Sequence, residues 1–452
     1  MQRWLTPLGP MCLLFAATLG GAATATPPPA QTPTTGASQP AAGPPTTPKE
    51  SCSACHLEIG DDRLAAPVKA YADDIHRAKG FGCVACHGGD ANAAGLEAMD
   101  PAKGYIGKPA RAQIPQLCGR CHADARFMKR YNPSLRVDQV TEYAASAHGR
   151  KLLAQNDPKV ATCVSCHPAH AIRPPSDPAS SVHPLRVAQT CATCHGDAAY
   201  MTGRSLPTNQ LQQYTQSVHW LAMSEKGDLS APTCNDCHGN HGAAPPGVSW
   251  VGNVCGQCHT VMSELYAKSV HATAFPRMGV PGCAACHDNH AIKRAAVTMV
   301  GLAQETVCAN CHSKDDVGGK AAAEMRGVLD ALGAEHARAA ATLARAEHAG
   351  MEVSQARVDL IGANDALVKA RVAVHAASVS AVKKEADVGL GIAAKAYERG
   401  LRALEELKFR RQGLGVSLVI ILALIAGLIL KIRQLDRPRR HAGGSVTPNE
   451  EA

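Results

Sequence analysis

Eighteen of the nineteen cysteines in this 452-residue chain fall into nine Cys-x-x-Cys pairs, and a histidine follows each pair at once. Five of the triplets are Cys52, Cys55, His56; Cys83, Cys86, His87; Cys118, Cys121, His122; Cys163, Cys166, His167; and Cys191, Cys194, His195. The other four are Cys234, Cys237, His238; Cys255, Cys258, His259; Cys283, Cys286, His287; and Cys308, Cys311, His312. Histidine makes up 21 of 452 residues, so nine such placements would arise by chance about once in 10¹² trials. Two thiols three positions apart share one turn of chain, and the next residue sets an imidazole beside them. Such a donor set can hold a metal, close a disulfide or take up a covalently attached group.

The third chemistry accounts for the pattern. Zinc sites usually join two Cys pairs or add a distant His pair, and do not need His directly after the second Cys. A thioredoxin-like redox pair would occur once, inside a βαβ unit. A disulfide framework has no use for the imidazole. Cys-x-x-Cys-His is the attachment signature of c-type haem: two thiols add to the two vinyl groups, and His supplies the proximal nitrogen. Nine covalently bound haem c groups are therefore expected. The composition agrees, because only 5 Phe, 3 Trp and 8 Tyr are present, too few aromatics to fill a core of this size. The formal charge of +8 does not imply nucleic-acid binding, since nine haems bring roughly −18 in propionates.

The histidines outside the motifs are candidate distal ligands. His76, His148, His170, His183, His219, His241, His271 and His290 lie among the motifs, and His336, His348 and His375 lie beyond them. An internal repeat organises most of the first set: Ser-x-His, then C-x-x-C-H-x-x-His, then a second C-x-x-C-H. Copies start at Ser146, Ser217 and Ser269, and a degenerate copy starts near His76, with Asp90 where the extra His should stand. His170, His241 and His290 each follow a proximal His by three residues, so they share its face and must ligate a neighbour. His183 lies outside the repeat. The motif region thus offers eight distal ligands for nine irons, and His375 is the candidate for the ninth.

The elements that position these groups follow from composition. Residues 1–25 read as a signal peptide, with an apolar run from Leu8 to Leu19 and Ala23-Thr24-Ala25 as the cleavage site. The one unpaired cysteine, Cys12, would leave with it. Residues 26–50 form a Pro/Thr-rich linker. Residues 51–313 form a loop-rich nonahaem domain with short helices at the motifs. No proline occurs between Pro281 and Pro438, and Ala supplies 12 of the 30 residues from Ala321 to Gly350, which implies long helices. Met325, Leu329, Leu332, His336, Ala339, Leu343 and Ala346 form one heptad seam. Val353, Ala356, Leu360, Ala363, Leu367, Ala370, Val374 and Ala377 form another. Residues 314–412 are therefore expected as a helical hairpin or stalk broken at Gly350, with a third helix from about Asp387. Residues 413–430 are apolar over about 27 Å of helix, enough to span a bilayer. Basic residues in 431–452 place that tail in the cytoplasm. The fold class is mainly α.

Through its C-x-x-C-H motifs the chain resembles the multihaem c-type cytochromes of anaerobic bacterial respiration, of the cytochrome c3-like and octahaem families. That resemblance implies two His axial ligands on most haems. The C-terminal helices are similar to those of nitrite reductases and hydroxylamine oxidoreductases, which implies a distal ligand in Arg371–His375. The C-x-x-C-Lys motif of the nitrite-reducing haem does not occur. The resemblance implies an electron carrier rather than an enzyme, single-pass in the inner membrane with its haems in the periplasm. It would pass electrons from quinol-linked membrane partners to periplasmic or outer-membrane cytochromes. The alternatives are a reductase of a nitrogen or sulfur oxyanion with one five-coordinate haem, and a structural anchor docking through the hairpin.

Overall fold

The computed structural model describes residues 50–243 and 252–436. The expected signal peptide, all but Glu50 of the linker and residues 437–452 of the basic tail lie outside the described residues. The described residues are helical and contain no strand. Short helices alternate with loops up to His312, and three long helices follow.

Each repeat opens with the same corner. A buried Tyr (Tyr143, Tyr214 or Tyr266) lies in the last turn of a short helix, the amide of the Ser three residues later donates to its carbonyl, and in two copies that Ser side chain caps the next helix. Ser146 accepts from the Gly149 amide at 2.9 Å, and Ser217 from the Trp220 amide at 3.2 Å. Asp74 does the same for His76 in the degenerate copy, at 2.9 Å. These caps satisfy amides that a helix start leaves without partners, and they set His76, His148 and His219 in the first turn; His271 holds the same place after Ser269, whose hydroxyl makes no such bond among the described residues. Two of the His-bearing helices stop at Gly227 (φ 70°) and Gly279 (φ 68°), a left-handed conformation that glycine adopts without Cβ strain. The Tyr hydroxyls then reach the carbonyl two residues before the next attachment cysteine: Tyr71 to Phe81 at 2.8 Å, Tyr143 to Ala161 at 2.8 Å and Tyr214 to Pro232 at 2.9 Å.

Successive copies dock on one another in register. The Ile75 amide donates to Ile172 at 2.8 Å, Ala147 to Ala243 at 3.0 Å and Val218 to Ile292 at 2.9 Å. Each acceptor lies two residues past an x-x-His of the following copy. The haem region is thus a stack of units in which contacts run between neighbours, as in repeat proteins. Among the described residues it buries little side chain in clusters of its own: Tyr143, Leu152 and Val160 form one, and Val300 packs into the core of the long helices.

The long helices carry the protein-only core. Val317–His348, Ser354–Ala373 and Val379–Leu435 form a three-helix bundle. Both heptad seams face inward, although His336 is only partly buried. The third helix starts earlier than the sequence suggested, at Val379. The second seam also ends early, because the chain leaves the helix after Ala373 for a tight turn over Val374–Ala376, and Ala377 takes φ 49°. Gly389 lets the three helices close: a Cβ there would lie 2.8 Å from Leu332 Cδ1 and 2.9 Å from Ala366 Cβ. The third helix then runs unbroken through 413–430, where every residue is exposed, and it is the one described helix long and apolar enough to cross a membrane.

Candidate haem-binding sites

The attachment motifs are local structures. Helices Ser51–Glu58, Cys83–His87, Cys163–Cys166, Cys234–His238 and Ala284–His287 each carry a motif and bury no side chain against protein. Thr162 and Thr233 stand immediately before two of them and are themselves buried. Their amides are taken by Ser165 Oγ at 3.0 Å and Asp236 Oδ2 at 2.7 Å.

Eight of the nine proximal histidines face a second imidazole. In four pairs the rings are nearly parallel: His87 with His170 at 5.9 Å and 10°, His167 with His241 at 6.4 Å and 15°, His238 with His290 at 6.1 Å and 13°, and His287 with His375 at 6.0 Å and 19°. In the other four the rings are tilted: His122 with His76 at 6.0 Å and 90°, His195 with His148 at 6.1 Å and 54°, His259 with His219 at 6.2 Å and 34°, and His312 with His271 at 6.1 Å and 49°. These are centroid distances. A metal–imidazole bond of about 2.0 Å and a ring radius of about 1.1 Å, taken twice, require about 6.2 Å. The rings are too far apart to touch and correctly spaced for one iron between them. With attachment thiols beside each proximal ring and little protein core around them, the residues fit haem c.

The pairing follows a rule. The Ser-x-His of each unit faces the second motif of that unit, and the x-x-His faces the first motif of the unit before. The last unit has no successor, and the turn at Val374–Ala376 supplies His375 in its place. The rings are oriented through Nδ1, which leaves Nε2 for a metal. His76 Nδ1 lies 2.9 Å from Asp74, His87 Nδ1 2.8 Å from the Gly107 carbonyl, His312 Nδ1 3.0 Å from Asp316 and His375 Nδ1 2.9 Å from the Val372 carbonyl. Burial, reinforced by nearby imidazoles, holds His122, His148 and His167 below the ordinary imidazole range, so they stay neutral as metal binding requires.

Consecutive motifs adjoin in chain order. Cys118 lies beside Cys163, Cys191 beside Cys234, and Cys255 beside Cys283. Cys52 lies near Cys83, Cys86 near Cys118, Cys166 near Cys194, Cys237 near Cys255 and Cys286 near Cys308. The nine motifs form a single file.

Three candidates are placed elsewhere. His183 is buried at the start of Pro184–His195, where its Nδ1 accepts from the Leu185 amide at 3.4 Å, and among the described residues it faces no second imidazole. It serves as a helix cap because the next residue, Pro184, fixes the first turn. His336 and His348 lie on the first long helix, His348 exposed. His56 likewise faces no second imidazole among the described residues. The tyrosines were missed at the sequence level, although Tyr-x-x-Ser-x-His recurs at Tyr143, Tyr214 and Tyr266, and Tyr71-x-x-Asp74-x-His76 is its variant. That spacing was the available signal.

No curated protein and no solved structure matches the chain. Residues 228–313 match the family described as Cytochrome c3, a span that contains the last four attachment motifs with His241, His271 and His290. On these grounds the chain is a multihaem c-type cytochrome carrying a cytochrome c3 domain.

Proposed function

We propose that the chain binds nine haems and relays electrons in anaerobic respiration, anchored in the inner membrane with its haem region in the periplasm. The observation that carries this reading is the set of eight imidazole pairs, each spaced for one iron. Bound haem c supplies one-electron iron chemistry. The cysteines fix each group covalently and the proximal histidines set its orientation. The facing histidines would be the second protein ligands to each iron, which favours electron transfer over substrate binding. The adjoining cysteines hold neighbouring motifs close enough to pass electrons along the file.

The bundle bears on the partner. Gly413 follows Val379 by 34 residues on one unbroken helix, about 51 Å at 1.5 Å per residue. His375 stands at the far end of that length, so a quinol in the bilayer does not reach the site of His375 and His287 directly. A separate quinol-linked membrane subunit is the donor, and periplasmic or outer-membrane cytochromes are the acceptors. A second reading, a reductase of a nitrogen or sulfur oxyanion, draws on His56 alone.

The test is direct. Intact mass and a pyridine haemochrome count should give nine haems per chain. The dithionite-reduced protein should then reduce an oxidised c-type cytochrome on mixing. A count of eight or fewer in matured protein, or a reduced protein that transfers nothing, overturns the proposal.

A further inference from the structure

We infer that the iron of the haem attached through Cys52 and Cys55 and ligated by His56 is open on its distal side and binds a small lone-pair donor such as carbon monoxide, and that Asp90 leaves it open. The inference rests on the haem-carrying reading above and adds an assignment for one motif.

The argument is one of register. The x-x-His of each unit faces the first motif of the unit before: His170 faces His87, His241 faces His167 and His290 faces His238. Counting back one step, the residue that should face His56 is the one three positions after His87, which is Asp90. The first copy turns just after its proximal histidine as the last two copies do. Gly88 has φ 68°, Gly239 φ 86° and Asp288 φ 62°, whereas in the second copy the left-handed residue is His170 itself at φ 66°. The loop after Asp90 docks on the leading motif itself, one residue short of the position that docks in the later copies and onto the attachment helix rather than a Ser-x-His helix. The Ser51 amide, at the start of the Cys52–His56 helix, donates to the Ala91 carbonyl at 3.1 Å.

The loop therefore lies against the first motif, and it carries an aspartate where the later copies carry the facing imidazole. Asp90 is turned to other partners: its carboxylate holds Lys103 at 2.7 Å and accepts from the Asn92 amide at 3.0 Å. Among the described residues no imidazole replaces it, and the remaining segments contain one histidine, His441, beyond the membrane span. Binding of carbon monoxide there forms one iron–carbon bond from the ligand's lone pair and transfers no electron.

The experiment is a carbon monoxide titration of the dithionite-reduced full-length protein in detergent, with the haem count taken on the same sample. The wild type should bind one equivalent per nine haems, and the oxidised protein should show one high-spin ferric haem. Asp90→His, which puts an imidazole at the register of His170, His241 and His290, should reduce binding to near zero and add one low-spin haem. Asp90→Ala should keep the single equivalent. No carbon monoxide uptake by wild type, or a full equivalent retained by matured Asp90→His, overturns the inference. If Asp90→His does not mature, the wild-type stoichiometry and the Asp90→Ala result decide. A count below nine indicts the haem-carrying reading instead.

Discussion

Replacing His375 tests whether the helical bundle completes a haem site. In the structure its ring lies 6.0 Å from that of His287 at 19°, and its Nδ1 is held 2.9 Å from the Val372 carbonyl. The arithmetic leaves room for one iron, because two bonds of about 2.0 Å and two ring radii of about 1.1 Å come to about 6.2 Å. His375→Ala removes the whole imidazole and leaves a pocket several ångströms deep over one iron. Attachment is unaffected, since Cys283, Cys286 and His287 remain, so the haemochrome count should stay at nine. Carbon monoxide uptake by the reduced protein should rise by one equivalent, and one of the low-spin ferric signals should become high-spin. Stability should fall by at least about 1 kcal/mol from the lost hydrogen bond, and by more because the ligand joins bundle to haem region. His348→Ala, at an exposed position on the first long helix, should change none of these readouts. If His375→Ala leaves the low-spin count and the carbon monoxide stoichiometry of wild type, the bundle supplies no ligand and the pairing rule fails at its last step.

Gly389→Val should destabilise the bundle by about 1–3 kcal/mol in thermal unfolding, because its Cβ would sit 2.8 Å from Leu332 Cδ1. Gly391→Ala, with nothing within 4 Å, should instead be neutral or stabilising by up to about 1 kcal/mol, and equal effects at the two positions would refute the packing argument. Ending the chain before Gly413 should release a red, soluble protein, whereas retention in salt-washed membranes would mean that the anchor lies elsewhere. Parallel axial rings split the iron d orbitals more than crossed rings do. Electron paramagnetic resonance should therefore resolve two low-spin classes, rhombic for the four stacked pairs and strongly anisotropic for crossed pairs such as His76 with His122 at 90°. A single class would contradict the ring geometry.

Covalent attachment was legible in the sequence because it is local. Cys283, Cys286 and His287 need only one turn of chain to present two thiols and an imidazole, and no distant residue has to agree. The long helices were legible for a similar reason, since the seam from Met325 to Ala346 is a periodicity that any helix would display. Distal ligation is not local. His87 and His170 belong to different units, and nothing in either neighbourhood names the other. Only the docking of one unit on the next, through bonds such as Ile75 to Ile172, brings them face to face. Counting candidates does not separate them, and although the repeat set His170 apart from His183, only the fold shows that one caps a helix and the other faces a proximal ring. The bundle supplies the sharpest case. Periodicity carried the second seam through Ala377, but the tertiary fold breaks the helix at Val374 to turn His375 toward His287, and a local pattern cannot anticipate a turn imposed by a distant partner. The same register identifies Asp90 as the exception, a residue whose meaning comes from the three copies that follow it.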